Sequence, residues 1–258
     1  MLFQGVGTVM AKSDLVAAGI QPERIRYLNK RQPRQGEYVL YWMQASQRAS
    51  YNHALEYAIY AANELNLPLV TWFGLTDDFP EANARHYHFM LEGLCEVKKG
   101  LAERGIGMCI TRGNPREGVI RMGEKAALTV TDSGYLRVQR EWRRQAAKKL
   151  TCPLVQVESD IVAPVEQASG KEEYSAATLR PKMKRLLYKY LVPLKEGVPL
   201  KRSINLPLSS EDINDPGSVV ARLKIDHNVK RSGYYTGGQG EASRRLALFL
   251  DKLDRYPQ

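Results

Sequence analysis

Between residues 38 and 157, five short runs of β-forming residues are separated by four longer amphipathic segments, and this alternation constrains the fold more than any other feature of the sequence. Tyr38 to Met43 reads as a buried strand bounded by Gly36 and Gln44. From Arg48 to Leu65 the apolar positions Ala54, Leu55, Ala58, Ile59, Ala62 and Leu65 recur at helical spacing. Leu67 to Phe73 is the second strand, with Pro68 tolerated at its start. A helix beginning near Pro80 then runs to Gly105. Gly107 to Thr111, Ala127 to Thr131 and Pro153 to Val157 complete the strands, separated by helices from Asn114-Pro115 to about Lys125 and from Tyr135 to Leu150. Right-handed crossovers between such strands predict a five-stranded parallel, doubly wound, Rossmann-like α/β sheet covered on both faces. Ligands of such sheets sit at the carboxyl ends of the strands. The segments to inspect are therefore Gln44 to Arg48, Gly74 to Asp78, Gly113-Asn114, Asp132 to Tyr135 and Glu158 to Asp160.

Beyond this region the chain changes character. A basic helix is expected from Ala176 to Tyr190, then roughly forty-five residues rich in Pro, Gly, Ser and Asn, read as a structureless connector wrapping a surface, and a last isolated helix from Gly240 to Tyr256. The implied division is an N-terminal extension (1–36), an α/β domain (37–194), a connector (195–238) and the beginning of a second domain (239–258). Met1 to Ile20 carries Lys12 and Asp14 and lacks a basic leader, so a signal peptide is not expected. No run approaches the ~18 apolar residues of a membrane span, and a cytoplasmic location is expected.

The 258 residues hold 38 Lys plus Arg against 28 Asp plus Glu, a net charge of +10, which favours a polyanionic partner or simply a basic solvated surface. Arg137, Arg140, Arg143, Arg144, Lys148 and Lys149 crowd one helix; Arg180, Lys182, Lys184, Arg185 and Lys189 crowd another. Such clusters track phosphates, face water, or dock on an acidic domain. Arg180, Lys182, Lys184 and Arg185 are the nucleic-acid candidates. Cys95, Cys109 and Cys152 are odd in number and lack CxxC spacing, and His86 and His88 point to different faces, so neither a disulfide framework nor a metal site is suggested. No P-loop, GxGxxG or GxSxG motif is present. Gly237-Gly238-Gln239-Gly240 before the last helix reads either as a phosphate cradle or as a hinge. At the strand ends, Arg48, Asn52, Asp132 and Tyr135 offer a guanidinium, an amide, a carboxylate and an aromatic ring, with Trp42, Trp72 and Phe73 as apolar walls, a mixture suited to a planar heterocycle with a polar tail. The indoles equally suit a place in the core.

Longer strings carry a resemblance. Tyr41-Trp42-Met43-Gln44 with Ser46-Gln47-Arg48 and Asn52, Phe73-Gly74-Leu75-Thr76 with Pro80-Glu81-Ala82, Arg85-His86-Tyr87, Phe89 to Leu94, Val130-Thr131-Asp132 with Tyr135-Leu136-Arg137, and Thr178 with Arg180-Pro181-Lys182 closely resemble the class II cyclobutane pyrimidine dimer photolyases over about residues 24 to 194. The resemblance implies a flavoprotein that uses light and fully reduced FAD to split pyrimidine dimers in UV-damaged DNA. It implies that this chain is the half holding an antenna chromophore, an 8-hydroxy-5-deazaflavin in several members, bound by Trp42, Met43, Arg48, Asn52, Phe73, Asp132 and Tyr135. The segment ending Leu253-Asp254-Arg255-Tyr256 resembles the first helix of the FAD-binding domain, with Tyr256 a vestigial FAD contact, and Pro257-Gln258 stands where that domain is expected to continue. Alone, the chain is expected to be inactive, to hold no catalytic residue, and not to bind FAD unless a separately encoded FAD domain supplies it. The competing expectation is a stand-alone basic binding module for nucleic acid or a partner protein, without photochemistry.

Overall fold

The structure, a computed structural model, describes residues 12–256; residues 1–11 of the expected N-terminal extension and Pro257-Gln258 lie outside the described residues. In chain order the elements are α1 (Lys12–Ala17), β1 (Ile25–Tyr27), β2 (Tyr38–Trp42), α2 (His53–Glu64), β3 (Leu69–Leu75), α3 (Ala84–Glu103), β4 (Gly107–Arg112), α4 (Pro115–Gly123), β5 (Ala126–Asp132), α5 (Arg137–Lys149), β6 (Leu154–Val157), α6 (Val165–Ala168), α7 (Ala176–Tyr190), α8 (Pro216–Ala221) and α9 (Gln239–Leu250). The sheet order is β1-β6-β5-β2-β3-β4. All five expected strands are present and mutually parallel.

The sheet nevertheless has six strands, not five, and is mixed. Its sixth, β1, pairs antiparallel with β6 through Ile25 opposite Val157 and Tyr27 opposite Val155. Three residues are too few to show a period, which is why this strand is not legible in the sequence. Its anchor is Arg24, 2% exposed, whose guanidinium donates to Gln21 Oε1 at 2.6 Å and to the carbonyl of Ile161 at 3.0 Å. The segment expected as an extension thus completes one sheet edge.

Strand alternation sends side chains to two cores. Tyr41, Met43 and Phe73 pack on the face covered by α2 and α3. Trp42 and Trp72 pack on the face covered by α4 and α5, their rings 6.4 Å apart, and the Trp72 indole donates to Thr111 Oγ1 at 3.0 Å. Both indoles are about 1% exposed, so the core alternative holds for them.

The connector is not structureless. It contains α8, and Ile213, Val219, Val220 and Leu223 are buried in the same core as α3. Alongside the edge strand β4, the Glu211 amide donates to the Ile110 carbonyl at 2.7 Å and the Ile110 amide to Ser210 Oγ at 3.0 Å. An edge strand needs such cover, and polar loop composition hides it from a periodicity reading. Nor is the last helix isolated: the Gly237 amide donates to Glu92 Oε2 at 2.7 Å and the Gly240 amide to Glu96 Oε2 at 2.9 Å, tying the start of α9 to α3. Its far end is open, with Leu246 57% and Leu250 54% exposed. Among the described residues, no helix is long and apolar enough to cross a membrane.

Gly118 in α4 lies so close to Trp72 that an added Cβ would stand 2.4 Å from the indole Cζ2. Gly118→Ala is therefore expected to destabilise the fold by about 1–3 kcal/mol through overpacking, despite alanine's better helix propensity, read as a lower denaturant midpoint.

Candidate functional site

The strand order reverses between β2 and β5, and the crevice at that point is where a ligand of a doubly wound sheet is looked for first. Here the chain itself fills it. Asp132 closes β5, and its fully buried carboxylate accepts the backbone N–H groups of Gln44 (3.1 Å), Ala45 (3.1 Å) and Ser46 (2.8 Å), and the Tyr41 hydroxyl at 3.3 Å. Burial pushes this carboxyl above its ordinary range, and the three backbone donors oppose that shift. Asn52, also buried, caps α2 by accepting from the amides of Ala54 and Leu55. Its amide donates to the Tyr41 hydroxyl (3.0 Å) and to the carbonyls of Ser46 (3.0 Å) and Arg48 (3.1 Å). Asp132 and Asn52 therefore fold the loop after β2 into one shape.

Displaced from this plug, over the ends of β2 and β3, lies a cavity of about 790 Å³. Of the seven residues expected to hold a chromophore, Trp42, Met43, Arg48 and Phe73 line it. Asn52 and Asp132 do not; they sit beneath its wall. Tyr135 lies outside the lining, 44% exposed, with its hydroxyl bonded to Glu158 and its ionisation pushed up chiefly by burial. Arg48 is already engaged, pairing with Asp160 at 2.8 Å and donating to the Ser159 carbonyl at 2.7 Å.

The cavity also has walls that strand-end reasoning misses. Phe79 and Trp142 meet edge to face with centroids 6.1 Å apart, and Tyr87 and Met90 of α3 add to the lining. Trp142 is the one aromatic side chain of the strongly basic α5, and that isolation is the signal that would have found it. Gly238, which precedes α9, and Gln239 and Ala242 of α9 form part of the rim. The glycine-rich turn here is not a free phosphate cradle, because the carboxylates of Glu92 and Glu96 already take its backbone donors. His86 is a capping residue, its Nδ1 accepting the Asn83 amide at 3.1 Å.

The basic helices divide. On α7, Arg180, Lys184 and Arg185 are exposed with no side-chain partner among the described residues, whereas Lys182 pairs with Glu173 and Ser169. On α5, Arg143 is not a surface charge: it is 5% exposed and reaches inward to Gln44. Tyr256, the expected FAD contact, is 63% exposed and stacks edge-on against Phe249, with centroids 5.5 Å apart.

Comparison with known proteins adds an independent line. The family model described as DNA photolyase matches residues 39–200. The deoxyribodipyrimidine photo-lyase of Methanothermobacter thermautotrophicus is 54% identical over 235 residues, which are 91% of this chain and 51% of that protein. The chain thus spans about half the length of the curated relatives it matches. Among solved structures, a bacterial class III photolyase from Agrobacterium tumefaciens superposes with a TM-score of 0.62 at 15% identity, over 84% of this chain and 45% of that one. An archaeal photolyase from Sulfolobus tokodaii with two FAD molecules gives a TM-score of 0.57 at 16% identity, over 82% of this chain and 45% of that one. At these identities the structural likeness shows the fold alone.

Two stability effects follow from the plug. Asp132→Ala leaves three backbone donors and the Tyr41 hydroxyl without their acceptor, and is expected to cost about 2–4 kcal/mol by chemical unfolding, with Asp132→Asn costing less because one acceptor oxygen remains. His53, at the start of α2, is 6% exposed, and burial, followed by the charges of Arg24 and Arg48, pushes its pKa down from 6.5 to about 3. The unfolded chain therefore binds a proton that the folded chain refuses. Stability from this group is complete above about pH 6.5 and falls as pH drops toward 3, by up to about 1.4 kcal/mol per unit. His53→Gln is expected to remove that one-proton part of the slope in unfolding measured between pH 7 and 4.

Proposed function

The chain belongs to the DNA photolyase family, and from that premise we propose that its cavity holds a light-harvesting chromophore, an 8-hydroxy-5-deazaflavin, in a class II photolyase that repairs cyclobutane pyrimidine dimers. The observation that carries this reading is the 790 Å³ cavity over the ends of β2 and β3, whose lining includes Trp42, Met43, Phe73, Phe79, Met90 and Trp142. A flat tricyclic heterocycle needs broad apolar faces of this kind, with a few polar groups at the rim to orient it. The chemistry supplied by such a group when bound is absorption of near-ultraviolet or blue light.

The residues of this chain then do three things. Phe73, Phe79, Met90 and Trp142 exclude water from the heterocycle, and the buried Trp42 and Met43 pack behind that lining. Asp132 and Asn52 act as positioning residues, because they hold the loop that presents Gln44, Gln47 and Arg48 to the cavity. Arg48 braces that loop against Asp160, and Tyr135 contributes by holding Glu158 rather than by facing the cavity.

Cleavage of dimers in UV-damaged DNA belongs, in this reading, to the full-length architecture, in which FAD is held by the remainder of the enzyme, encoded with this chain or separately. Residues 37–194 are then the antenna domain, 1–36 its N-terminal arm, 195–238 the connector, and 239–258 the first helix of the FAD-binding domain with Tyr256 near the flavin. Arg180, Lys184 and Arg185 of α7 are proposed to face the DNA backbone, and Lys182 to hold the helix start. The site of action is the cytoplasm.

Titration of the protein with 8-hydroxy-5-deazaflavin is expected to give a saturable change in near-ultraviolet or blue absorbance at one equivalent. Ala242→Trp, which places an indole at the exposed rim, is expected to weaken binding at least tenfold with an unchanged unfolding midpoint. No absorbance change on titration of the folded protein overturns the antenna assignment.

A further inference from the structure

A second recess, of about 340 Å³, opens on the side of α5 away from Trp142, and it is lined by cations: Arg140, Arg143, Arg144 and Lys148, with Leu28 and Gln156 opposite. Three of these, Arg140, Arg144 and Lys148, stand four residues apart and form one stripe along about 12 Å of helix. The only acid of α5, Glu141, is committed to Arg144 at 2.6 Å and to Gln145. Arg140 and Lys148 are exposed and have no ion-pair partner among the described residues.

Arg143 is the unusual member. A guanidinium that is 5% exposed ordinarily faces a carboxylate, because burying an unpaired charge is costly. This one has only neutral acceptors: Gln156 Oε1 at 3.0 Å, Gln44 Oε1 at 2.9 Å and the Gly134 carbonyl at 2.6 Å. The nearby Asp132 carboxylate makes no hydrogen bond to it, being held by the backbone donors of the loop after β2, and acts on the guanidinium only through its field. Three acceptors for five N–H groups leave two donors over. The recess therefore combines a deep cation with spare N–H donors and no direct ion pair with a rim of two unpaired cations, Arg140 and Lys148, and Arg144, which shares Glu141.

We propose that this recess is an anion site for a phosphate group, with Arg143 at its base and Arg140, Arg144 and Lys148 around its mouth. A phosphate suits it better than a carboxylate, because its several oxygens let it take donors from more than one cation at once. The phosphate has two possible sources, a small phosphorylated molecule or the backbone of a nucleic acid lying along the stripe. The site is separate from the proposed chromophore cavity and does not depend on that assignment.

Binding at low salt, measured by calorimetry, tests this with two probes: inorganic pyrophosphate and a short undamaged DNA duplex. Arg140→Glu with Lys148→Glu reverses two exposed rim charges without touching the core. Lys201→Glu with Lys252→Glu makes the same change in net charge at exposed positions outside α5. Saturable pyrophosphate binding, weakened at least tenfold by the α5 pair and unchanged by the other, is the expected result and assigns a small phosphorylated ligand. Binding of duplex alone with the same pattern supports the site and assigns it to a nucleic-acid backbone, with a shallower salt dependence in the α5 variant. No saturable binding of either probe, or equal weakening by both variant pairs, overturns the proposal. Matching unfolding midpoints for the variants establish that any loss is local.

Discussion

The carboxylate of Asp132 is the point on which the functional end of the molecule depends. Parallel strands leave their carboxyl ends with unpaired backbone donors, and at the reversal of strand order those donors usually hold a ligand. Here three of them close on a side chain from the neighbouring strand. That choice has two consequences. The usual crevice is sealed, and the loop it seals becomes a rigid wall for a cavity displaced toward β3 and α3. Asn52 makes the same loop continuous with α2, since one side chain caps the helix and ties down two loop carbonyls. Because both residues are buried and hydrogen-bonded, the backbone of the loop is held in shape by the chain itself, which lowers the ordering cost of binding.

What the sequence made legible follows from the physics of each signal. The five central strands, the cap at Asn114 and the helices between the strands have strong local signatures, and they appear within a few residues of expectation, whereas the cap at Asn52 emerges only in the structure. β1 and the wrapping of β4 by Ser210 and Glu211 rest on non-local hydrogen bonds made by short, aperiodic segments, and nothing in their own composition announces them. The site divides along the same line. Trp42, Met43, Phe73 and Arg48 could be placed at the cavity because strand ends are predictable. Asp132 and Asn52 lie at the strand ends but a layer below the cavity, since residue type alone does not distinguish a carboxylate that meets a ligand from one that meets the chain's own amides. Phe79, Met90 and Trp142 arrive from helices and loops whose approach to the strand ends is set only by packing.

The charge balance also acquires structure. A net charge of +10 is a single number, yet the cations behind it serve different ends. Arg24 holds the N-terminal segment to the exit of β6, Arg104 reaches the buried Glu56 at 2.8 Å, and Arg143 crosses from the surface of α5 to Gln44. These are internal fastenings. Other cations are exposed without an ion pair among the described residues, and two groups of them are clustered: Arg180, Lys184 and Arg185 on α7, and Arg140 and Lys148 on α5. Counting charges overstates the nucleic-acid signal, and locating them shows where such a signal would have to reside.

Arg143 links α5 to the loop after β2. Its Nη1 holds Gln44 Oε1, which fixes the amide so that Nε2 points the other way, and that Nε2 is a buried donor with no partner among the described residues. Gln44 in turn lines the large cavity. One buried guanidinium thus fastens α5 to the wall of the cavity, its charge balanced by the field of the buried Asp132 carboxylate rather than by a direct ion pair.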